Sequence, residues 1–450
     1  MSYNPDNQYR CTIIRGKSQT QMEDLLPLYA NMVHRLCPCT EDEFNERGNK
    51  FLSKALFGTD CYEILPDSNQ KTVRNHLTEI AGTLLALYRI DLDGYVYETE
   101  LCSYLLDTND FPAFFRNICL NFQFPNGTKK SNFVLQDVAN RINIKPFCFV
   151  VSLLYYAQQQ PHKHLLTKQE IGYYVLNNLE VLQGRVGVET VYHKIIEDRV
   201  NGVHKPQLSG SHDWQHIKEQ FNLLELANIV HTDRTYIWLN KEEALSVEVF
   251  VRSLHESAFD VYAYDLSSLD GRKQFYADWE EYYGRLNSDL AILPTRFQSA
   301  TEIVIADRAE QTAQRGAVGA TTIEVGDKGE ALVYNLEKER VGNYKSRLVN
   351  KVLLLGKTKG LGYDISSIEA DENPDKPEFA RYIEVKSTTR VTEPSFDENW
   401  TDSLNLTSKE WVAAEQYKEY YNIYRVYFTK QRTFVVRIKN PYELATQDFI

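Results

Sequence analysis

The chain has 450 residues, 43% hydrophobic and 25% charged, enough apolar mass for two or three domains with proper cores and too much for a disordered polymer. Its formal net charge of −12 excludes a basic coat for nucleic acid, but not an enzyme whose positive field is confined to a cleft. No apolar run approaches bilayer-spanning length, and MSYNPDNQYR lacks the basic start and apolar stretch of a signal peptide, so the default expectation is a cytoplasmic protein with no membrane partner.

Residues 17–60 (MEDLLPLYANMVHRL, DEFNERGNKFLSKALF) repeat apolar positions at helical spacing, and 72–90 predicts a stronger helix with a wide apolar face. DLDGYVYET at 91–99 sets an Asp-Gly turn beside aromatic and β-branched residues, the pattern of a short hairpin. Helix resumes over 98–122, FPNGT at 124–128 marks a turn, and helical spacing returns over 131–158. In LLTKQEIGYYVLNN, Thr167 stands three residues before Glu170, a capping-box pattern. An amphipathic helix over 213–230 then runs into HTDRTYIWLN, a turn and a strand. Helix into hairpin is the sequence form of a winged-helix module, which often reads DNA; the plainer alternative is a helical domain carrying a β-hairpin. Residues 241–315 read as mostly helical, and QRGAVGATTIEVGDKGE at 314–330 reads as a linker without the Lys-Ser/Thr of a phosphate loop. No internal repeat stands out. These breaks divide the chain into 1–160, 161–315 and 316–450.

Seven scattered cysteines fit reduced thiols better than a disulfide framework. His34, Cys37 and Cys39, with Cys11 and Cys61 further off, raise the question of zinc. Cys37-Pro-Cys39 lacks the usual two-residue gap and no second tight pair follows, so plain thiols are expected.

The last third changes period. DKGEALVYNLEKERVG at 327–342 predicts a helix with Glu330, Val333 and Glu337 near one face. KVLLLG at 351–356 is a short strand, and KTKGLGYDISSIE at 357–369 is a glycine-flexed loop entering a strand near Asp364. RYIEVKST at 381–388 is a third strand. A capped helix over 405–422 follows, then the strands IYRVYF and TFVVRI around a TKQR turn. In RYIEVKST, Ile383 and Val385 face one way, and Tyr382, Glu384 and Lys386 the other. If this strand pairs with the one from Asp364, the two carboxylates converge on one divalent cation. Hard oxygen donors suit magnesium, with manganese as a substitute, and Lys386 can orient water or stabilise charge at phosphorus. Alone, Glu-x-Lys is an ordinary surface ion pair worth about 0–1 kcal/mol. The ordered set of helix Glu, Tyr-Asp and Glu-x-Lys is what points to a site.

That set resembles the PD-(D/E)XK nuclease superfamily, with Tyr-Asp in place of Pro-Asp. More closely, GEALVYNLE, GLGYDISSIE, RYIEVKST and LTSKEWVAAEQYKEYYNIYRV resemble the No Vein-type C-terminal domain of bacterial restriction and defence proteins, over roughly residues 325–440. The resemblance implies that Asp364, Glu384 and Glu330 hold the metal and that these three and Lys386 form the catalytic set, with Glu337 as a second helix acid. More faintly, LTKQEIGYYVLNN and HIKEQFNLLELANIVHTDRTYIWLN resemble the DNA-recognition halves of restriction endonucleases. No base-reading residue is assigned; Lys168, Lys194, Arg199, Lys205 and Arg234 are candidates for phosphate contact.

The expected fold is multidomain α+β: a mostly helical N-terminal region with a winged-helix-like recognition module, then a restriction-endonuclease-like α/β domain with a central mixed sheet. The expected function is a magnesium-dependent deoxyribonuclease of the type II-like restriction class, used in restriction or anti-phage defence. Double-stranded DNA is the partner, cutting both strands calls for a homodimer at least transiently, and a methyltransferase or helicase subunit is a conceivable companion. The rival reading is a catalytically silent, nuclease-like DNA-binding subunit of a defence complex.

Overall fold

The structure is a computed structural model that describes residues 17–162, 165–203, 205, 211–256, 259–297, 303–307, 310–314, 325–356, 360–396 and 402–446. The N-terminal decapeptide and Cys11 lie outside them. Two compact units divide the chain: Met1–Asp107 with Phe111–Thr295, and Thr108–Asp110 with Arg296–Ile450. No helix among the described residues is long and apolar enough to cross a membrane.

The first unit is mainly helical, and its helices start where their caps say. Ser18, Thr40 and Thr167 each close a capping box, with Gln21, Glu43 and Glu170. Two expected helices are interrupted. The one over 72–90 passes from Asp67–Asn75 into a π-helical His76–Leu84 and stops, because Ala86 takes a positive φ and Tyr88–Ile90 is a strand. The one over 131–158 divides into Ser131–Ala139 and Pro146–Gln159; Arg141 has a positive φ, and Pro146, lacking an N–H, opens the second helix rather than continuing the first.

Two three-stranded sheets in this unit share one plan. In each, a two-residue strand ending in the helix-capping threonine pairs with the second strand of a hairpin. The registers are Cys39↔Val96 with Thr40↔Tyr95, and Leu166↔Ile237 with Thr167↔Tyr236. The hairpins are Tyr88–Ile90 with Tyr95–Glu98, and Val230–Thr232 with Tyr236–Leu239. A strand–helix–hairpin module is thus built twice. The sequence hid the repeat because the copies share little beyond Thr-x-x-Glu and an apolar-polar alternation. Packed around them, Phe111, Phe114, Phe115, Phe122 and Trp279 are fully buried. Buried Arg116 is satisfied by Glu243 at 2.9 Å and Ser246 at 2.7 Å.

The second unit is a seven-stranded mixed sheet between helices. Its elements are β1 (Ile303–Asp307), β2 (Glu310–Gln314), α1 (Val325–Tyr344), β3 (Leu353–Leu354), β4 (Ile365–Ile368), β5 (Ala380–Thr389), α2 (Ser408–Tyr417), β6 (Tyr421–Phe428) and β7 (Thr433–Lys439). The strand order is β2-β1-β7-β6-β5-β4-β3. β5 pairs β6 and β7 pairs β1 in parallel; the other neighbours are antiparallel. From α1 onward the order is helix, three strands, helix, two strands, as the sequence predicts. The expectation of helix up to residue 315 fails at β1 and β2. The β-branched run Ile303-Val304-Ile305 prefers an extended, two-sided buried environment. The expected linker at 314–330 lies mostly outside the described residues, and 325–330 is already helix.

One face of the sheet packs on α1: Leu332, Val333 and Val341 share a core with Ile383, Val385, Tyr424 and Val426. The other face packs on α2, through Ala413 and Ala414 against Tyr421 and Ile423. The strand alternation read from RYIEVKST is therefore real, but both faces are covered. Contact between α1 and the sheet is close: a Cβ at Gly329 would lie 1.7 Å from Ser387 Oγ, so only glycine fits there.

Glu337, 2% exposed, fixes α1 to the sheet. It accepts from Arg340 (2.6 Å), Ser367 (2.6 Å) and the Tyr424 hydroxyl (2.7 Å). Burial alone would raise its pKa, yet Arg340 and Arg381 hold it below the usual carboxylate value. Removing one member of so buried a network leaves its partners unpaired in an apolar surround. Glu337→Ala is expected to lower the stability of this unit by about 3–5 kcal/mol, read as a fall in denaturant midpoint at unchanged slope; a loss below about 1 kcal/mol would show that the network does not anchor α1.

Candidate active site

The site is set by the register of β4 on β5. Ile365 pairs with Ile383, which places Asp364 across from Glu384. The Asp364 N–H donates to the Ile383 carbonyl at 2.9 Å, and the Asp364 carboxylate accepts the Val385 N–H at 2.8 Å. Asp364 therefore reaches over the neighbouring strand, and its carboxyl group hydrogen-bonds that of Glu384. Two residues on, along the same face, the Lys386 ammonium lies 2.8 Å from Glu384 Oε1. This is not a solvated rim pair, since the Glu384 and Lys386 side chains are 5% and 22% exposed.

Electrostatics follow from that enclosure. Burial raises Asp364, against the opposing pull of the Val385 N–H and Lys386. Glu384 is pushed up to about 8, first by burial and further by the Asp364 charge, with Lys386 acting the other way. Two acids side by side in a covered position retain a proton, because both cannot ionise at low cost. A divalent cation would relieve that repulsion, and two carboxylates plus water and a phosphate is the usual magnesium environment. Among the described residues, no group of three or more His, Cys, Asp or Glu side chains is arranged to hold a metal ion. The donor set on offer is thus the Asp364–Glu384 pair.

The structure brings Asp364, Glu384 and Lys386 together. Glu330 arrives from α1 at the adjoining strand end. Leu355 donates its N–H to the Asp364 carbonyl, and Glu330 Oε2 lies so near Gly356 that a Cβ there would sit 2.3 Å from it. Glu337, two turns further along, belongs instead to the helix-anchoring network.

Sequence reasoning missed Glu410. It is the third residue of α2, capped by Thr407, and its Oε2 lies 2.8 Å from Lys386 Nζ. LTSKE carried the cap signal. What it did not carry is that α2 bridges the parallel pair β5 and β6, which lays its first turn over the Glu-x-Lys face. A wall of tyrosines also borders that face: Tyr382 stacks on Tyr417 at 3.8 Å, with Tyr363 at 4.8 Å from Tyr382.

In the first unit, four of the five basic candidates already have internal partners. Lys168 donates to the Asp233 carbonyl, Lys194 and Lys205 pair with Asp198, and Arg199 pairs with Glu170. Arg234 is exposed in the hairpin turn. Of the residues weighed for zinc, His34 pairs with Glu98 at 2.8 Å and burial pushes the Cys37 thiol up to about 12, while Cys11 lies outside the described residues.

Comparison with known proteins agrees with these two units. Residues 3–280 match the family model described as restriction endonuclease BpuJI, N terminal, and residues 329–438 match that described as protein NO VEIN, C-terminal. The second match spans Glu330, Asp364, Glu384, Lys386 and Glu410. A solved structure, described as pyrene- and phenanthrene-modified DNA in complex with the BpuJ1 endonuclease binding domain, is 38% identical. It superposes with a TM-score of 0.57 and covers 63% of this chain and 100% of that one. No curated protein matches. With more than half its length on the first of these models, the chain belongs to the family of the restriction endonuclease BpuJI N-terminal domain.

Proposed function

We propose that the protein is a metal-dependent DNA endonuclease of restriction type, with its catalytic centre in the C-terminal unit on a PD-(D/E)XK pattern. The observation that carries this reading is the buried Asp364–Glu384 pair with Lys386 at 2.8 Å. Asp364 and Glu384 are the residues that would hold magnesium, or manganese in its place, with Glu330 assisting from α1. When bound, magnesium supplies Lewis-acid stabilisation of the phosphate and a more acidic water. Lys386 would orient the attacking water and offset charge developing at phosphorus. Asp364 is held in place by the Val385 N–H, so little reorganisation is left for the reaction itself. Hydrolysis leaves 5′-phosphate and 3′-hydroxyl ends.

Recognition falls to the N-terminal unit. Its twice-built strand–helix–hairpin modules are winged-helix-like. Tyr95 and Tyr236 stand exposed at matching positions of the two hairpins, and Arg234 is exposed in the second turn. The solved relative is described in complex with DNA, which supports the same ligand here. Cleaving both strands calls for two such centres and hence a homodimer on DNA. A companion methyltransferase would protect the host's own DNA, and a helicase subunit is the other companion this role admits. The role itself is restriction or anti-phage defence.

A second reading, a silent docking subunit, is favoured by the lack of a three-ligand cluster among the described residues. One experiment divides the two. Unmodified plasmid and phage DNA are incubated with magnesium or manganese, beside the chelated protein and the Glu384→Ala, Asp364→Asn and Lys386→Ala variants. Cleavage by the parent alone, with at least about a thousandfold loss in each variant and on chelation, is expected. Equal cutting by parent and variants would refute this centre.

A pH dependence follows as well. The raised carboxyl pair must release its proton before a cation can bind. Calorimetric magnesium affinity should therefore rise with pH, by up to about tenfold per unit between about pH 6 and pH 8. Without metal the sign for stability is opposite. The folded pair binds more protons than the unfolded chain, so this unit loses stability as pH rises through the same window, and magnesium restores it. A flat affinity profile would mean the pair is not the cation site.

A further inference from the structure

Lys386 is bracketed by two acids from different elements, Glu384 Oε1 and Glu410 Oε2, each at 2.8 Å. The outer pair is enclosed too, with Lys386 and Glu410 side chains 22% and 14% exposed. Glu410 does not need Lys386 in order to cap α2. Its Oε2 accepts the Thr407 N–H at 2.9 Å, and its own N–H donates to Thr407 Oγ1 at 3.3 Å, which completes the box. The contact with Lys386 is additional.

Physical reasons make it consequential. The first turn of a helix is a poor place for a cation, and an ammonium withdrawn from water needs an opposite charge. Glu384 cannot serve as that charge in the working centre. On the reading above its oxygens are committed to a divalent cation, which itself repels the ammonium at short range. Glu410 is the acid left over for Lys386. We infer that Glu410 is a positioning residue that keeps the Lys386 ammonium beside the Asp364–Glu384 pair while those acids hold a cation. This rests on the nuclease reading, and adds to it a fifth residue supplied by α2.

Three variants separate positioning from capping. Glu410→Ala removes both roles, Glu410→Gln keeps a capping acceptor but loses the charge, and Thr407→Ala loosens the cap while leaving the charge in place. Single-turnover cleavage at saturating enzyme should fall about a hundredfold in Glu410→Ala and less in Glu410→Gln, with DNA affinity unchanged and Thr407→Ala within about twofold of the parent. A readout apart from activity is calorimetric magnesium binding. Without Glu410, Lys386 rests on Glu384 alone and competes with the cation, so affinity should fall about tenfold in Glu410→Ala and recover in Glu410→Ala/Lys386→Met. The inference is overturned if Glu410→Ala matches the parent in both measurements, or if Thr407→Ala slows cleavage as much as Glu410→Ala does. A parent that neither cuts nor binds the cation overturns the nuclease reading, and the inference with it.

Discussion

Everything at the candidate centre depends on one strand pairing. β4 and β5 meet with Ile365 opposite Ile383, and that register puts two carboxylates together on one face while Ile383 and Val385 fill the core on the other. A slip of one residue would exchange the faces, burying Glu384 and Lys386 against α1 and turning the isoleucine out. The hydrophobic demand of the α1 face therefore enforces the polar geometry of the α2 face. Once both are ionised the acids repel, so affinity for each other does not hold them there. They are held because the apolar side of the same strands has nowhere else to go.

That division of labour extends through the unit. Parallel pairing of β5 and β6 requires a crossover, and the crossover helix α2 covers the polar face and delivers Glu410. Covering removes water, which makes each remaining charge interaction larger and each unpaired charge more expensive. Asp364, Glu384 and Glu410 thus set three acids around the single Lys386 ammonium, a surplus of negative charge that suits a cation.

How much of this was legible beforehand depends on how local each signal is. The strand alternation of RYIEVKST, the Asp-Gly turn at 93–94 and the Thr-x-x-Glu caps are fixed by near neighbours, and they stand in the structure where the sequence placed them. The convergence of Asp364 on Glu384 was an expectation that needed the pairing to exist. Glu410 was invisible because its role arises from a helix crossing over a strand twenty-odd positions earlier. Glu337 and Glu330 look alike in DKGEALVYNLEKERVG; only the positions of Arg340, Ser367 and Tyr424 turn one of them into an anchor. The strands at 303–314 read as helix from the sequence alone: β2 pairs locally with β1, but β1 owes its place in the sheet to β7, more than a hundred residues downstream.

The anchor at Glu337 has a geometric consequence. Residues seven apart on a helix differ by about 20° in direction, so Glu330 and Glu337 look out from nearly one meridian of α1, about 10 Å apart along its axis. Clamping Glu337 to Ser367 and Tyr424, and its helix neighbour Arg340 to the Ile368 carbonyl, fixes the helix against rotation as a key fixes a shaft. The azimuth of Glu330 over Gly356 is then determined by contacts two turns away. Ser367 and Tyr424, whose hydroxyls bond Glu337, are in that sense its alignment screws.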